Sequence, residues 1–224
     1  MAEGGFLMSD NSKRYSLGEE IFNSISHGAG AGLSIAGTVV LIVCAAVYAD
    51  AWAVVSAAIF GSSLIILYTM STLYHAISNT TAKKVFRIMD HNTIFFLIAG
   101  TYTPYTLVTL RGGLGWTMFG VIWGAAILGI VLTSINLEKF KRFSFICYLA
   151  MGCAILLAIK PMLDKTPWLS MLFLLIGGAF YLIGVVFYVL KKFKYMHSIW
   201  HLFVIGGSVF HYFSIFLAIV PASK

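Results

Sequence analysis

Charged residues are scarce in this sequence, and their scarcity indicates the class of protein. Only 10% of the 224 residues are Asp, Glu, Lys or Arg, whereas 60% are hydrophobic. Soluble domains have about 25% charged and about 45–50% apolar residues. A chain with a mean hydropathy of +0.92 cannot hide all its apolar side chains in one core. We therefore expect lipid to be the solvent for most of the chain, which argues against an ordinary soluble enzyme.

Cysteine is also scarce, and its three occurrences are isolated. Cys44, Cys147 and Cys153 each fall inside an apolar run, and no two of them form a CxxC pair. Disulfide scaffolds and thiolate metal sites need several cysteines at regular spacing. We interpret all three as small buried hydrophobic residues, and we expect neither kind of site.

Long basic stretches are missing as well, although the net charge is +7. The Lys and Arg residues lie in short clusters between apolar runs. That pattern is typical of topology signals in membrane proteins rather than of an RNA-binding face. We therefore expect no nucleic-acid partner.

Seven apolar runs are each long enough to cross a bilayer, which takes about 20 helical residues. Short loops separate them, so the sequence predicts an all-α membrane protein, a seven-transmembrane-helix bundle. Pro104 falls inside the third run and predicts a kink there. The runs are approximately Ala29–Ala49, Trp52–Ile77, Val85–Leu110, Trp116–Ile135, Phe143–Ile159, Trp168–Leu190 and His197–Val220.

The distribution of Lys and Arg predicts the orientation of the bundle. Eleven of the 15 basic residues fall on the amino-terminal side of the threaded chain, and four fall on the other side. Basic loops stay in the cytoplasm, so we expect a cytoplasmic amino terminus and an external carboxyl terminus. Residues 1–28 would form a cytoplasmic segment with a juxtamembrane helix. Residues 29–220 would form the seven-helix domain, and residues 221–224 a short external tail.

Polar and titratable side chains collect at the ends of three of these runs. Ser71 and His75 close the second run, and Asp90 lies near the start of the third. His197 and His201 open the seventh. The predicted orientation brings all three ends to the cytoplasmic side. Titratable groups at membrane depth are costly and commonly mark a functional site.

The spacing of the histidines predicts a zinc site. Residues four apart lie on one helix face, about 6 Å apart along the axis, so His197 and His201 can face one ion. With His75 they would supply three imidazoles and leave one position for water, the ligand set of a catalytic zinc. Asp90 would accept a hydrogen bond from that water or act as its general base. Ser71 would stabilise an oxyanion or hold the water.

Each of these residues also has an ordinary structural interpretation. A single histidine near a membrane interface commonly packs or snorkels towards the headgroups. Asp90 could pair with Arg87 one turn earlier, and Ser71 could bond to its own helix backbone. We interpret His91 as structural, because it points away from the face of Asp90. The convergence of three segments favours the metal site over these alternatives.

Two further polar features are candidates for accessory roles. Glu20, Asn23 and His27 share one face of the juxtamembrane helix. They either cap the cytoplasmic mouth of the site or lie among the headgroups. His211 lies ten residues after His201, about 15 Å deeper, and cannot join the same coordination sphere. It either lines an internal cavity or hydrogen-bonds across helices.

Five segments of the sequence carry a family resemblance. They are EEIFNSISH (19–27), STLYH (71–75), MDHNTIFFLIAGTYTPY (89–105), HSIWH (197–201) and FHYF (210–213). In these segments the chain resembles the haemolysin III family, the bacterial branch of the progestin and adipoQ receptor superfamily. That superfamily includes the adiponectin receptors and the alkaline ceramidases. The combination of S-x3-H, D and H-x3-H at membrane depth makes the resemblance specific.

The resemblance implies a multi-pass protein of the bacterial plasma membrane that binds zinc near the cytoplasmic side. Carried over by motif, His75, His197 and His201 would be the ligands. Asp90 would contact the ion through water, with Ser71 beside it. Alkaline ceramidases hydrolyse a lipid amide. The resemblance therefore implies a zinc-dependent hydrolase of a lipid amide or ester, with a membrane lipid as substrate or ligand, acting in membrane-lipid homeostasis.

Two non-enzymatic functions stay open. In one, zinc is structural in a membrane sensor or regulator, although structural zinc usually has four protein ligands. In the other, the protein is a pore-forming haemolysin, although most runs lack the polar stripe that lines a channel. A haem is disfavoured, because His197 and His201 point the same way and cannot sandwich it. Neither the lipid nor the oligomeric state follows from the sequence.

Overall fold

The computed structural model describes residues 15–190 and 193–220, and every regular element in those ranges is helical. The expected external tail, residues 221–224, and the first 14 residues lie outside the described ranges. The helices are α1 (Leu17–Tyr48), α2 (Ala51–Ala76), α3 (Thr80–Pro104), α4 (Gly113–Ile135), α5 (Leu137–Cys153), α6 (Ile159–Lys165), α7 (Trp168–Val189) and α8 (Met196–Ile219).

Six helical stretches of the described chain are long and apolar enough to cross a membrane. They are α1, α2, α4, α7, α8 and the stretch Leu137–Lys165, in which a 3-10 turn joins α5 to α6. The third predicted span corresponds to α3, which has 25 residues but carries Lys83, Lys84 and Arg87 among its first eight. Those charges lower its hydropathy. The all-α membrane fold is confirmed, with six rather than seven helices that qualify by length and composition.

The outer surface of the bundle is apolar. Leu157 is 88% exposed, and Ile135 and Trp168 are each 71% exposed. Many other large aliphatic and aromatic side chains are more than half exposed on the same helices. A water-soluble protein rarely shows so large a continuous apolar surface. The surface is therefore suited to contact with lipid chains.

A capping box starts α1. The Glu19 amide donates to Oγ of Ser16 at 3.4 Å, and the Ser16 amide donates to the Glu19 carboxylate at 2.8 Å. These bonds satisfy amides that lack partners at the start of a helix. From there α1 runs unbroken to Tyr48. The expected juxtamembrane helix and first span are therefore one helix, and the expected boundary at residue 28 lies inside it.

The end of α3 is irregular. A π-helical turn, Tyr105–Thr109, follows Pro104 directly. Proline has no amide hydrogen for the helix ladder, and a local π-helical turn is one way in which a membrane helix re-satisfies the freed backbone groups. This irregularity lies where Pro104 predicted a kink.

The packing of the helices brings three helix ends together. α1 packs against α2 and α8, α2 packs against α3, and α7 packs against α8. α3 also contacts α4, α5 and α8, so it lies inside the bundle. As a result the end of α2, the start of α3 and the start of α8 lie at one end of the molecule. In the described chain, α5 and α7 pack little against each other.

Glu19 also links the start of α1 to the start of α8. Its Oε1 accepts a hydrogen bond at 2.8 Å from the amide of Tyr195, a residue in the left-handed conformation with φ of 62°. This carboxylate accepts hydrogen bonds from backbone amides at the starts of two helices. We therefore expect Glu19→Gln to lower the free energy of unfolding by about 1–2 kcal/mol.

The measurement for Glu19→Gln is the midpoint of thermal unfolding in detergent. Glu138→Gln is the matched control, since the Glu138 carboxylate on α5 is 63% exposed and its loss should change the midpoint little. Equal midpoints for Glu19→Gln and the unmodified protein would show that the link between α1 and α8 contributes nothing to stability.

Candidate metal centre

Three histidines from two helices meet at one end of the bundle. His75 lies in the last turn of α2, and His197 and His201 lie in the first two turns of α8. One ring nitrogen from each residue lies within 4.8 Å of the others. His75 and His201 are buried, and His197 is half-buried. The three histidines that the sequence singled out as metal ligands are therefore neighbours in space.

The geometry of these rings fits a single metal ion. The Nε2 atoms of His197 and His201 are 3.1 Å apart. Two nitrogens bound to one tetrahedral zinc at about 2.0–2.1 Å would be roughly 3.3 Å apart. Nε2 of His75 is buried without a hydrogen-bond partner among the described residues. A buried polar atom in that state is costly unless something else binds it. The donor set therefore fits zinc.

Asp90 and Ser71 lie next to this histidine cluster. Asp90 is buried in α3, interacts electrostatically with His75 and lies beside Ser71. The guanidinium of Arg87 forms its ion pair with Glu138 on α5. The pairing of Asp90 with Arg87, considered from the sequence, is thus not the main contact of that arginine. Ser71 and Asp90 are therefore neighbours of the histidine cluster.

The polar stripe on α1 faces the histidine cluster. Asn23 and His27 are almost completely buried. Glu20 accepts a hydrogen bond from Nδ1 of His75 at 2.6 Å. Asn23 and His27 therefore face the interior of the bundle, whereas a purely interfacial helix would turn them towards the headgroups. The stripe therefore covers the cluster from the side of α1.

His27, another member of the stripe, packs against the candidate ligand His201. Its ring stacks on that of His201 with centroids 3.6 Å apart, and it meets the ring of Tyr68 edge-on at 5.0 Å. The side-chain nitrogens and oxygen of His27 and Asn23 are buried without hydrogen-bond partners among the described residues. Four buried polar atoms at one place are suited to hold a polar group bound beside the cluster.

His211 and His91 lie outside the cluster. Nε2 of His211 donates to the backbone oxygen of Leu174 at 3.2 Å, which is the cross-helix hydrogen bond considered from the sequence. Gly177 permits this contact, because a Cβ there would lie 2.8 Å from that Nε2. Nδ1 of His91 lies 2.9 Å from the backbone oxygen of Arg87 in the same helix. Both histidines therefore have structural contacts.

An apolar cavity of about 240 Å³ begins beside the cluster and extends between α3, α5, α7 and α8. Asp90 and His27 border one end, and His211 and Tyr105 border the other. Cys153, expected to be buried, is exposed and lines this space. Most of the lining is aliphatic or aromatic, and includes Leu97, Ile98, Tyr102, Phe145, Tyr148, Leu149, Leu174, Leu182, Val185, Tyr188, Trp200 and Val204.

Comparison with known proteins assigns the family of this chain. Residues 15–212 match the protein-family model described as "Haemolysin-III related". The chain is 43% identical to Hemolysin-3 of Bacillus cereus over 206 residues, which cover 92% of this chain and 94% of that protein. The chain belongs to the haemolysin III family.

Two other relatives extend this result. The haemolysin III chain is 42% identical to the Hemolysin-3 homolog of Bacillus subtilis (strain 168) over 201 residues, or 90% of this chain and 94% of that one. It is 33% identical to the monocyte to macrophage differentiation factor of Homo sapiens over 172 residues, or 74% and 71% of the two chains. With its six apolar helices, the chain is a multi-pass protein of the plasma membrane.

Two contacts of the haemolysin III site were not foreseen from the sequence. The first is the hydrogen bond between Glu20 and His75, for which the helical spacing of the α1 stripe was the only signal. The second is Tyr15, whose ring stacks on His197 at 4.8 Å and lies 5.7 Å from His75. Tyr15 precedes α1, so no helical periodicity could have placed it.

Proposed function

We propose that this haemolysin III protein is an intramembrane zinc-dependent hydrolase that cleaves an amide or ester of a membrane lipid. The observation that carries the proposal is the histidine cluster beside a buried carboxylate, Asp90, at one end of an apolar cavity. A site with three protein ligands leaves a position where a reacting group can bind, which structural zinc sites do not. The cavity next to it suits a lipid chain.

In this proposal His75, His197 and His201 would hold the metal. A bound zinc ion would act as a Lewis acid on the lipid carbonyl and lower the pKa of water at its open position. Asp90 is the general base: it takes a proton from water as the water oxygen bonds to the carbonyl carbon. It returns that proton to the leaving nitrogen or oxygen as the C–N or C–O bond breaks. Ser71 holds the carboxylate of Asp90 in place.

The cavity would bind the acyl chain. Its aliphatic and aromatic lining favours a hydrocarbon over water, and Asp90 at one end would place the carbonyl next to the cluster. Because α5 and α7 pack little against each other, a lipid chain could enter between them from the bilayer. The same lining disfavours a pore, since ion pathways need polar or charged side chains along their length.

We also propose that α3 is the seventh span and that the amino terminus is cytoplasmic. α3 has the length to cross and packs between α2, α4 and α8, and its polar residues Asp90, Thr93, Thr101 and Thr103 are buried. Trp52, Trp116 and Trp168 begin α2, α4 and α7, at the ends away from the histidines, as expected for an aromatic belt. Reporter fusions to each loop test this topology. Equal localisation of fusions at both ends of α3 would contradict it.

The hydrolase proposal is tested with purified protein in lipid nanodiscs. The zinc-loaded protein is incubated with a panel of N-acyl and O-acyl lipids, and released fatty acid is measured by mass spectrometry. We expect release from at least one class that stops when a chelator removes zinc. If no lipid is cleaved while zinc remains bound, zinc is structural and the protein is a sensor or regulator.

Filling the cavity should stop the reaction without disturbing the metal. Gly178 lines the cavity, and a Cβ added there meets nothing within 4 Å. Gly178→Leu would therefore occupy space meant for the acyl chain. We expect fatty-acid release to fall by about tenfold or more, because small misplacements of a substrate have large effects on rate. Zinc content should not change.

Gly124→Leu is the matched control for this variant. Gly124 lies on α4, also has open space for a Cβ, and does not line the cavity. Its activity should equal that of the unmodified protein. Undiminished release from Gly178→Leu would show that the acyl chain does not bind in the cavity.

A further inference from the structure

One carboxylate lies directly behind the histidine cluster, outside the ligand set. An oxygen of Glu20 on α1 accepts a hydrogen bond from Nδ1 of His75 on α2 at 2.6 Å. The other oxygen pairs with Nζ of Lys83 on α3 at 2.8 Å. We propose that Glu20, held by Lys83, is a positioning residue that aims Nε2 of His75 at the metal. The inference rests on the proposed zinc site, and it names the residues that orient one zinc ligand before the metal binds.

The hydrogen bond determines which nitrogen of His75 can bind the metal. An ionised carboxylate only accepts hydrogen bonds, so the hydrogen in this contact belongs to Nδ1 of His75. In the neutral ring the lone pair then lies on Nε2. Nε2 is the nitrogen that is buried without a hydrogen-bond partner in the described chain. Carboxylate–histidine–zinc arrangements of this kind fix the tautomer and the ring orientation of metal ligands.

The position of His75 explains why it needs outside support. α2 ends at Ala76, one residue after His75, so the helical hydrogen bonds of α2 stop almost directly after this ligand. Lys83 reaches back across this end, because its Nζ also donates to the backbone oxygen of Ile77 at 3.3 Å. Glu20 and Lys83 thus connect the end of α2 to both neighbouring helices. The contacts hold the ring of His75 against rotation away from His197 and His201.

The neighbouring carboxylate shows that this role is specific to position 20. Glu19 points in another direction, since consecutive helical residues are about 100° apart. It binds Ser16 and the amide of Tyr195 and makes no hydrogen bond to a ligand histidine within the described ranges. Two adjacent acids on α1 therefore have separate functions. Glu19 links helix ends, and Glu20 orients a metal ligand.

The test is a series of variants titrated with zinc. Zinc-free protein is titrated in competition with a chelator of known affinity. We expect Glu20→Met, which removes the acceptor, to weaken zinc binding by about 10–100-fold. Glu20→Gln keeps an acceptor oxygen without the charge, so the loss should be smaller. Lys83→Met should weaken binding less than Glu20→Met, because Lys83 bonds Glu20 and the backbone of Ile77 and not His75 itself.

A second readout separates orientation from folding. Glu20→Met leaves Lys83 and Nδ1 of His75 without this partner, so the thermal midpoint of the zinc-free protein should fall modestly, as in Lys83→Met. The rise in midpoint caused by added zinc should be smaller, because it depends on zinc affinity. Glu138→Gln removes an exposed carboxylate elsewhere and should change neither quantity. Equal zinc affinity in Glu20→Met and the unmodified protein would overturn the inference, as would an equal loss in Glu138→Gln.

The proposed zinc site can fail independently of this inference. If the unmodified protein does not bind zinc, the proposed function fails and the inference falls with it. If the unmodified protein binds zinc tightly and all Glu20 variants bind it equally, only the role of Glu20 is wrong. A graded loss in the order Gln, then Met, is expected for a residue that fixes a tautomer.

Discussion

Protein that carries His197→Ala together with His201→Ala is expected to lose its zinc. The unmodified protein should hold about one zinc per chain, as a single ligand set implies. The double variant keeps only His75 of the three clustered ligands. One imidazole cannot hold the ion through purification, so zinc should fall below about a tenth of an equivalent. Elemental analysis after gel filtration measures the change.

His211→Ala is the control for loss of a histidine from the same helix. Its ring lies about 15 Å along α8 from His201 and hydrogen-bonds to Leu174. We expect this variant to retain one zinc per chain, with some loss of stability. Equal zinc in the double variant and the unmodified protein would place the ion elsewhere and contradict the proposed metal centre.

Asp90→Asn is expected to separate zinc binding from hydrolysis. The amide has nearly the shape of the carboxylate but cannot take a proton. We expect the release of fatty acid to fall by about 10²–10⁴-fold, the usual contribution of a general base. Asp90 lies beside the histidine cluster and is not one of its three clustered donors. Zinc content should therefore stay near one per chain.

The outcome of Asp90→Asn distinguishes a general base from a metal ligand. Full activity in this variant would show that Asp90 is not the base. Loss of zinc together with activity would make Asp90 a ligand rather than a base. Glu138→Gln on α5, a substitution of the same type at an exposed position, should change neither zinc nor activity.

The sequence predicted the meeting of the three histidines for physical reasons that the structure bears out. His197 and His201 had to share a face, because four residues make about one helical turn. His75 had to lie near them, because threading the bundle placed the end of α2 beside the start of α8. Local geometry and the alternation of spans thus determined the cluster. The membrane class followed from the scarcity of charge.

The contacts behind the cluster could not be predicted in the same way. A polar stripe containing Glu20 and His27 fits an interfacial helix as well as a buried one, and only the packing of α1 on α2 decides between them. Tyr15 lies before the start of α1, so the helical periodicity of that helix could not predict its position. The apolar cavity depends on the loose packing of α5 and α7, which hydropathy does not report.

The third helix shows where composition alone is misleading. Lys83, Arg87 and Asp90 make α3 less apolar than a typical span, yet the helix packs inside the bundle. The two basic residues are paired, Lys83 with Glu20 and Arg87 with the exposed Glu138. Asp90 is buried beside His75 and Ser71. A helix surrounded by other helices need not present an apolar surface to lipid.

The most direct test of the central claim is X-ray absorption at the zinc edge, measured on the unmodified protein in nanodiscs. Coordination by three imidazoles from His75, His197 and His201 predicts three nitrogen scatterers at about 2.0–2.1 Å and one further light atom. Imidazole rings should also give their outer-shell signal. Sulfur at about 2.3 Å, or a shell of oxygen atoms without imidazole, would contradict the three-histidine centre.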